Sequence, residues 1–103
     1  MREYMKRDGD RLVIRMPKEI DHHAVTSMAD EIDMQIESFG VRKLEFNFSD
    51  SEFMDSSGIG FVIGRTRKVG FFGGEACAVS LNKRMQKMFQ AAGLHQMVRI
   101  KED

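Results

Sequence analysis

Hydrophobic positions along the 103-residue chain change period several times. Residues 3–7 and 11–16 flank Asp8-Gly9, a dipeptide of the tight-hairpin kind, and so predict two paired strands. From Asp21 to Gly40 the apolar residues Val25, Met28, Ile32, Ile36 and Phe39 recur at steps of three and four. That spacing predicts one helix, with Asp21 as N-cap and Gly40 as terminator. Residues 43–48 alternate strictly, Leu44, Phe46 and Phe48 against Lys43, Glu45 and Asn47, as a half-exposed strand does. Ile59, Val62, Ile63 and Thr66 predict a second helix ending near Arg65, Arg67 and Lys68, where the helix dipole favours cations, with Gly70 beyond. "GGEACAVSL" predicts a third core strand. Asn82 then caps a helix carrying Met85, Met88, Phe89 and Ala92 and closed by Gly93, and Val98 and Ile100 alternate with Arg99 and Lys101 in a last edge strand.

Strands alternating with helices imply parallel strands joined by crossovers. Helices on both faces would demand strands that are apolar throughout, and 43–48 and 98–101 are not. The expected fold is therefore a single α/β domain over 1–103. An N-terminal hairpin leads into a mostly parallel sheet, with strands near 11–16, 43–48, 75–80 and 97–100 and helices mainly on one face.

Composition narrows the function. Apolar residues make up 42% and charged residues 31% of the chain, as in ordinary globular proteins. A formal net charge of zero provides no global field toward nucleic acid or membrane, and neither is expected as a partner. No apolar run approaches the ~20 residues of a membrane span, so a cytoplasmic location is the expectation. Cys77 is the only cysteine; it lies in an apolar run and reads as a small buried side chain. The nine methionines read as core filling. Residues 21–39 hold carboxylates with no Lys or Arg, whereas 65–87 are strongly cationic. The two segments read either as solvated helix faces or as two edges of a protein interface.

The chemistry concentrates in "SDSEFMDSSGIGFVIGR", Ser49 to Arg65. Its first part leaves the carboxyl end of the 43–48 strand, where α/β proteins place functional loops. A hydrolase nucleophile elbow requires glycine two residues before the serine, and Met54 and Asp55 stand there instead. No spacing singles out His22, His23 or His95 as a base. The glycines at 58, 60 and 64 fit neither a P-loop nor the dinucleotide fingerprint, whose third glycine would fall at Ile63. An Asp or Ser ahead of an apolar helix is also a plain N-cap, and Gly60 and Gly64 read as small residues that let a helix pack close to the sheet. Adjacent histidines point in different directions on a helix and make no i, i+4 metal pair. No catalytic residue, metal or cofactor is expected.

Two blocks carry a resemblance. "DHHAVTSMADEI" resembles the Asp-His-His opening of the first helix in the sporulation-type anti-sigma factor antagonists, which are built on the STAS domain. "FMDSSGIGFVIGR" matches that family's phosphorylation motif, and "GGEACAV" and "KRMQKMFQAAGL" resemble its next strand and helix, so the similarity runs from about Leu12 to Ile100. The resemblance implies a partner: an anti-sigma factor that is also a serine kinase, bound by the unphosphorylated antagonist so that the sigma factor is released. It implies Ser56 as the phosphorylated residue and a serine phosphatase as the reversing enzyme. It also implies partner contacts through Asp21, His22, His23, Asp55, Ser56, Ser57, Gly58 and Ile59, and a monomer when free. A STAS-type scaffold or nucleotide-sensing module without a phospho-switch is the alternative. Phe71-Phe72 is more apolar than the family's pattern in that loop.

Overall fold

The Asp8-Gly9 turn closes a hairpin. β1 (Met5–Asp8) runs antiparallel to β2 (Arg11–Arg15), and Gly9 takes the left-handed conformation at φ +62 that the turn requires. In this computed structural model, which describes residues 2–102, the elements that follow are β3 (Glu19–Ile20), α1 (His22–Thr26), α2 (Ala29–Phe39), β4 (Lys43–Asn47), β5 (Phe53–Met54), α3 (Ser56–Phe71), β6 (Glu75–Val79), α4 (Lys83–Ala91), a 3-10 turn at Leu94–Gln96 and β7 (Arg99–Lys101).

The main sheet has the order β1-β2-β4-β6-β7, and β2, β4, β6 and β7 are parallel, as the alternation predicts. Each crossover moves one strand further in the same direction, which keeps the helices on one face. On that face the register aligns Leu12, Leu44 and Ala76 in one row and Ile14, Phe46, Ala78 and Ile100 in the next. Ile32, Ile36, Phe61, Val62, Val69, Met85 and Phe89 of the helices complete the buried core with them. Phe48 meets Phe89 edge to face at 5.5 Å.

The helical stripe over 21–40 is two helices rather than one. The Thr26 hydroxyl donates to the His22 carbonyl at 2.5 Å, a back-bond that bends helices. The Met28 amide then donates to the Val25 carbonyl in a tightened turn, and α2 begins afresh. Asp21 and Gly40 do cap the ends. Phe39 is not core: it is 49% exposed at the last residue of α2, beneath the Arg7 guanidinium at 4.4 Å. α3 runs through Gly70 to Phe71, and the chain turns at Gly73, φ +85. Its buried positions are Gly58, Phe61, Val62, Thr66 and Val69, with Ile59 and Ile63 flanking them half-buried. Phe71 and Phe72 both stay exposed, their rings 5.4 Å apart.

The other sheet face is open and charged, and Cys77 lies there rather than in the core. It is half-buried in the register row Glu45–Cys77–Arg99, because odd positions of β6 point away from the helices. Burial, reinforced by Glu45, pushes its thiol up from the ordinary value. Glu45 is only 6% exposed on this face, its carboxylate held by Arg11 Nη2 at 2.8 and 2.9 Å. The acidic and cationic segments meet one another instead of standing as separate edges. Arg65 Nε lies 2.7 Å from Asp33 Oδ1, and Lys68 pairs with Glu37, which ties α2 to α3. Met5, Met16, Met28, Met54 and Met85 are core residues, Met34 and Met97 are exposed, and Met1 lies outside the described residues.

Candidate functional site

β3 and β5 are two residues each and pair in parallel, Glu19 with Phe53 and Ile20 with Met54. The Glu52 and Phe53 amides both donate to the Lys18 carbonyl (2.8 and 3.3 Å), and the Asp55 amide donates to the Ile20 carbonyl (3.2 Å). One residue beyond each strand stands an aspartate. Asp21 Oδ1 accepts from the Ala24 amide at 2.9 Å and starts α1; Asp55 Oδ1 accepts from the Gly58 amide at 2.9 Å and starts α3. Both backbones are extended there, with φ −117 and −94, as an N-cap demands. The two helix mouths therefore leave one small sheet side by side.

Gly58 explains the closeness. A Cβ at this position would stand 2.1 Å from the Ile20 carbonyl oxygen and 2.8 Å from Ile20 Cγ2 and Met54 Cγ. Only glycine lets the first turn of α3 pack onto β3. Gly60 and Gly64, which the sequence suggested for close packing, face open space, with nothing within 4 Å of a Cβ.

The loop before β5 is pinned on two sides. Ser51 is buried; its Oγ donates to the Pro17 carbonyl at 2.7 Å, and its carbonyl accepts from Asn82 Nδ2 at 3.1 Å. Asn82 Oδ1 meanwhile caps α4 by accepting from the Met85 amide at 2.8 Å. One asparagine thus joins the start of α4 to the loop ahead of Ser56. Neither Ser51 nor the β3–β5 pair stands out in the sequence, since two-residue strands show no period. The available cue was the repeated apolar-Asp pair, Ile20-Asp21 and Met54-Asp55, each followed by a helix.

Every residue assigned to partner binding lies at these two mouths. Asp21, His22 and His23 open α1; Asp55, Ser56, Ser57, Gly58 and Ile59 open α3. His22, His23 and Ser56 are exposed, Asp21, Asp55, Ser57 and Ile59 are half-buried, and Gly58 is buried. His95 lies apart, in the turn between α4 and β7. Among the described residues neither serine is hydrogen-bonded to a histidine, and no group of three or more His, Cys, Asp or Glu side chains is placed to hold a metal ion. No described helix is long and apolar enough to cross a membrane. The site instead offers an accessible hydroxyl at the start of a sixteen-residue helix. The first amides of such a helix have no intrahelical acceptor, and its dipole favours negative charge.

Known proteins share this fold. The STAS domain family model matches residues 3–103. An anti-sigma F factor antagonist of Lysinibacillus sphaericus is 37% identical over 83 residues, spanning 81% of this chain and 71% of the relative. The unphosphorylated anti-sigma factor antagonist SpoIIAA superposes with a TM-score of 0.85 at 31% identity, over 96% of this chain and 85% of that one. The phosphorylated Bacillus SpoIIAA gives a TM-score of 0.77 at 32% identity, over 96% and 88%. The chain belongs to the STAS-domain family of anti-sigma factor antagonists, which are non-catalytic regulators.

Proposed function

We propose that the unphosphorylated chain binds an anti-sigma factor that is also a serine kinase, through the paired mouths of α1 and α3, and so frees a sigma factor in the cytoplasm. Phosphorylation of Ser56 by that kinase ends the interaction, and a serine phosphatase restores it. The observation that carries the choice of residue is exposure: Ser56 is open to solvent at the first position of α3, whereas Ser57 is half-buried. The names of the relatives support the partner, and SpoIIAA exists in a phosphorylated form.

A phosphate adds about −1.5 to −2 charges. The helix start accommodates that charge within the domain. A partner surface fitted to a neutral hydroxyl does not, and desolvating the phosphate against it costs several kcal/mol. Each ~1.4 kcal/mol is tenfold in affinity, so one phosphate dissociates the complex without refolding the antagonist.

The test uses the cognate kinase with Ser56→Ala and Ser57→Ala. Phosphate incorporation is expected to vanish in the first and persist in the second; full incorporation into Ser56→Ala would refute the assignment. By titration calorimetry, folded Ser56→Ala is expected to retain binding to the anti-sigma factor, and Ser56→Asp to bind at least ~10-fold more weakly. Equal affinities of the two variants would favour a scaffold without a phospho-switch.

A further inference from the structure

We infer that the outer edge of β1, with the cavity between it and α2, takes an extended peptide segment of a partner. That segment adds a strand to the sheet, fills the cavity with a neutral apolar side chain and sets a carboxylate opposite Lys6. The site is separate from the mouths of α1 and α3 and does not rest on the reading above. β1 stands at the end of the sheet order, so only one of its edges is paired. The Arg15 amide donates to the Tyr4 carbonyl at 2.8 Å, which fixes the alternation of the antiparallel ladder. The main-chain groups of Tyr4, Lys6 and Asp8 face β2, and those of Met5 and Arg7 face outward. The Met5 amide is taken up by the Arg2 carbonyl at 3.1 Å. The Met5 carbonyl and the Arg7 amide and carbonyl are left on the open edge, where one more strand can pair with them.

Beside that edge lies a cavity of about 320 Å³, lined by Arg2, Met5, Glu31, Met34 and Gln35. Gln35 is only 8% exposed, and its Oε1 is a buried acceptor without a hydrogen-bond partner. Native structures seldom leave such an atom without a donor. Met5 and Met34 supply apolar walls, and Met34 is 55% exposed. The two charged groups in the lining, Arg2 and Glu31, are bonded to each other at 2.8 Å, so the interior calls for a neutral occupant. Met5 points to the helix side of the sheet. An added strand places every second side chain on that side, and the one opposite Met5 meets the cavity.

Charge decides against a second copy of this chain as the occupant. Two β1 strands paired antiparallel through Arg7 set either Lys6 opposite Lys6 or Arg7 opposite Arg7, and like charges directly opposite weaken a ladder. The carboxylates on neighbouring elements leave both cations free. Asp8 stands opposite Arg11 in register, and Arg11 holds Glu45. Glu31, Asp33 and Glu37 of α2 are taken by Arg2, Arg65 and Lys68. Glu3 and Asp30 are exposed on the flanking segments and pair with neither cation. Arg7 lies over the Phe39 ring on the helix side, while Lys6 projects from the open face. A carboxylate opposite Lys6 therefore gives the added strand the cross-strand pair that a second copy lacks.

A phage-displayed library of short random peptides, selected on the unmodified chain, supplies the probe. Enriched peptides should carry an aliphatic residue next to an Asp or Glu. By calorimetry, a selected peptide should bind Met34→Lys about 10-fold and Gln35→Met about 5-fold more weakly than wild type. Met97→Lys, at an exposed methionine outside the cavity lining, should match wild type. N-methylation along the peptide should be tolerated and harmful at alternate residues, because only every second amide of an added strand faces β1. Exchange of the Arg7 amide should slow in the wild-type complex while 52–60 stays unchanged. The inference fails if no peptide enriches, if Met34→Lys binds as tightly as wild type, or if the N-methyl scan shows no alternation. Protection of Arg7 by the chain's own concentration, without peptide, would make a second copy the occupant. Equal affinity of folded Gln35→Met would mean that water meets Oε1 and that the cavity is not the pocket. Should that variant not fold, Met34→Lys and the N-methyl scan decide alone.

Discussion

Gly58 and Gly60 are two residues apart in one helix, yet they answer to different physics. In Gly58→Ala the new methyl meets a backbone carbonyl at 2.1 Å, so α3 must move off β3, and a loss of about 2–3 kcal/mol is expected. Gly60→Ala meets nothing within 4 Å and should gain up to ~1 kcal/mol from helix propensity. Thermal melts separate the two: the variants should shift in opposite directions, by about 4–8 °C per kcal/mol for a domain near this size. A shared direction would contradict the packing described. The motif was legible in the sequence, but which of its glycines is indispensable was not. That depends on where Ile20 lies, and β3 is too short to show a period. Cys77 teaches the same lesson about faces. Its apolar neighbours suggested the core, while strand parity places it on the open side beside Glu45. Its raised pKa means that the thiolate forms only at higher pH than in a free thiol. Iodoacetamide should therefore label it more slowly than a free cysteine peptide at pH 7.5, with the rate rising only in the alkaline range. Labelling as fast as the peptide would contradict that environment.

At the level of elements, strands with strict alternation were read correctly because one face is apolar core and the other is not. Leu44, Phe46 and Phe48 are all buried. The charges of the helices were also read correctly, but their neighbours were not, since a sequence gives the sign of a face and not what stands opposite it. Asp33 and Arg65 pair with side-chain exposures of 24% and 16%, less solvated than the Arg2–Glu31 pair at 67% and 29%. A double-mutant cycle on Asp33 and Arg65 should give a coupling near ~1 kcal/mol, while Arg2 with Glu31 should fall below ~0.5. Indistinguishable couplings would mean that the α2–α3 contact is wetter than its geometry implies. The split between α1 and α2 was hidden because the apolar stripe continues across it, and the Thr26 back-bond and tightened Val25–Met28 turn at the break are features that hydrophobicity does not report.

For the molecule as a whole, the mostly parallel sheet and the one-sided helices were legible from the succession of strands and helices and the polar alternation of 43–48 and 98–101, whereas the strand order was not stated by them. The pairing of the two helix mouths was not legible either, because it rests on main-chain bonds between residues 18–20 and 52–55. Both the unphosphorylated and the phosphorylated SpoIIAA structures superpose on this fold. Amide exchange of the phosphorylated chain should accordingly differ from the unmodified one only near 19–24 and 52–60; widespread changes across the sheet would point to a conformational switch instead. The β3–β5 lock also bears on timing. A receiver that must rearrange before it can be read adds its own relaxation to every signal. Here the surface is already assembled, and the hydroxyl proposed as the phosphate acceptor lies on it. A regulatory circuit using this chain would then have no internal delay at this node, and its speed would be set by how fast phosphate is added and removed.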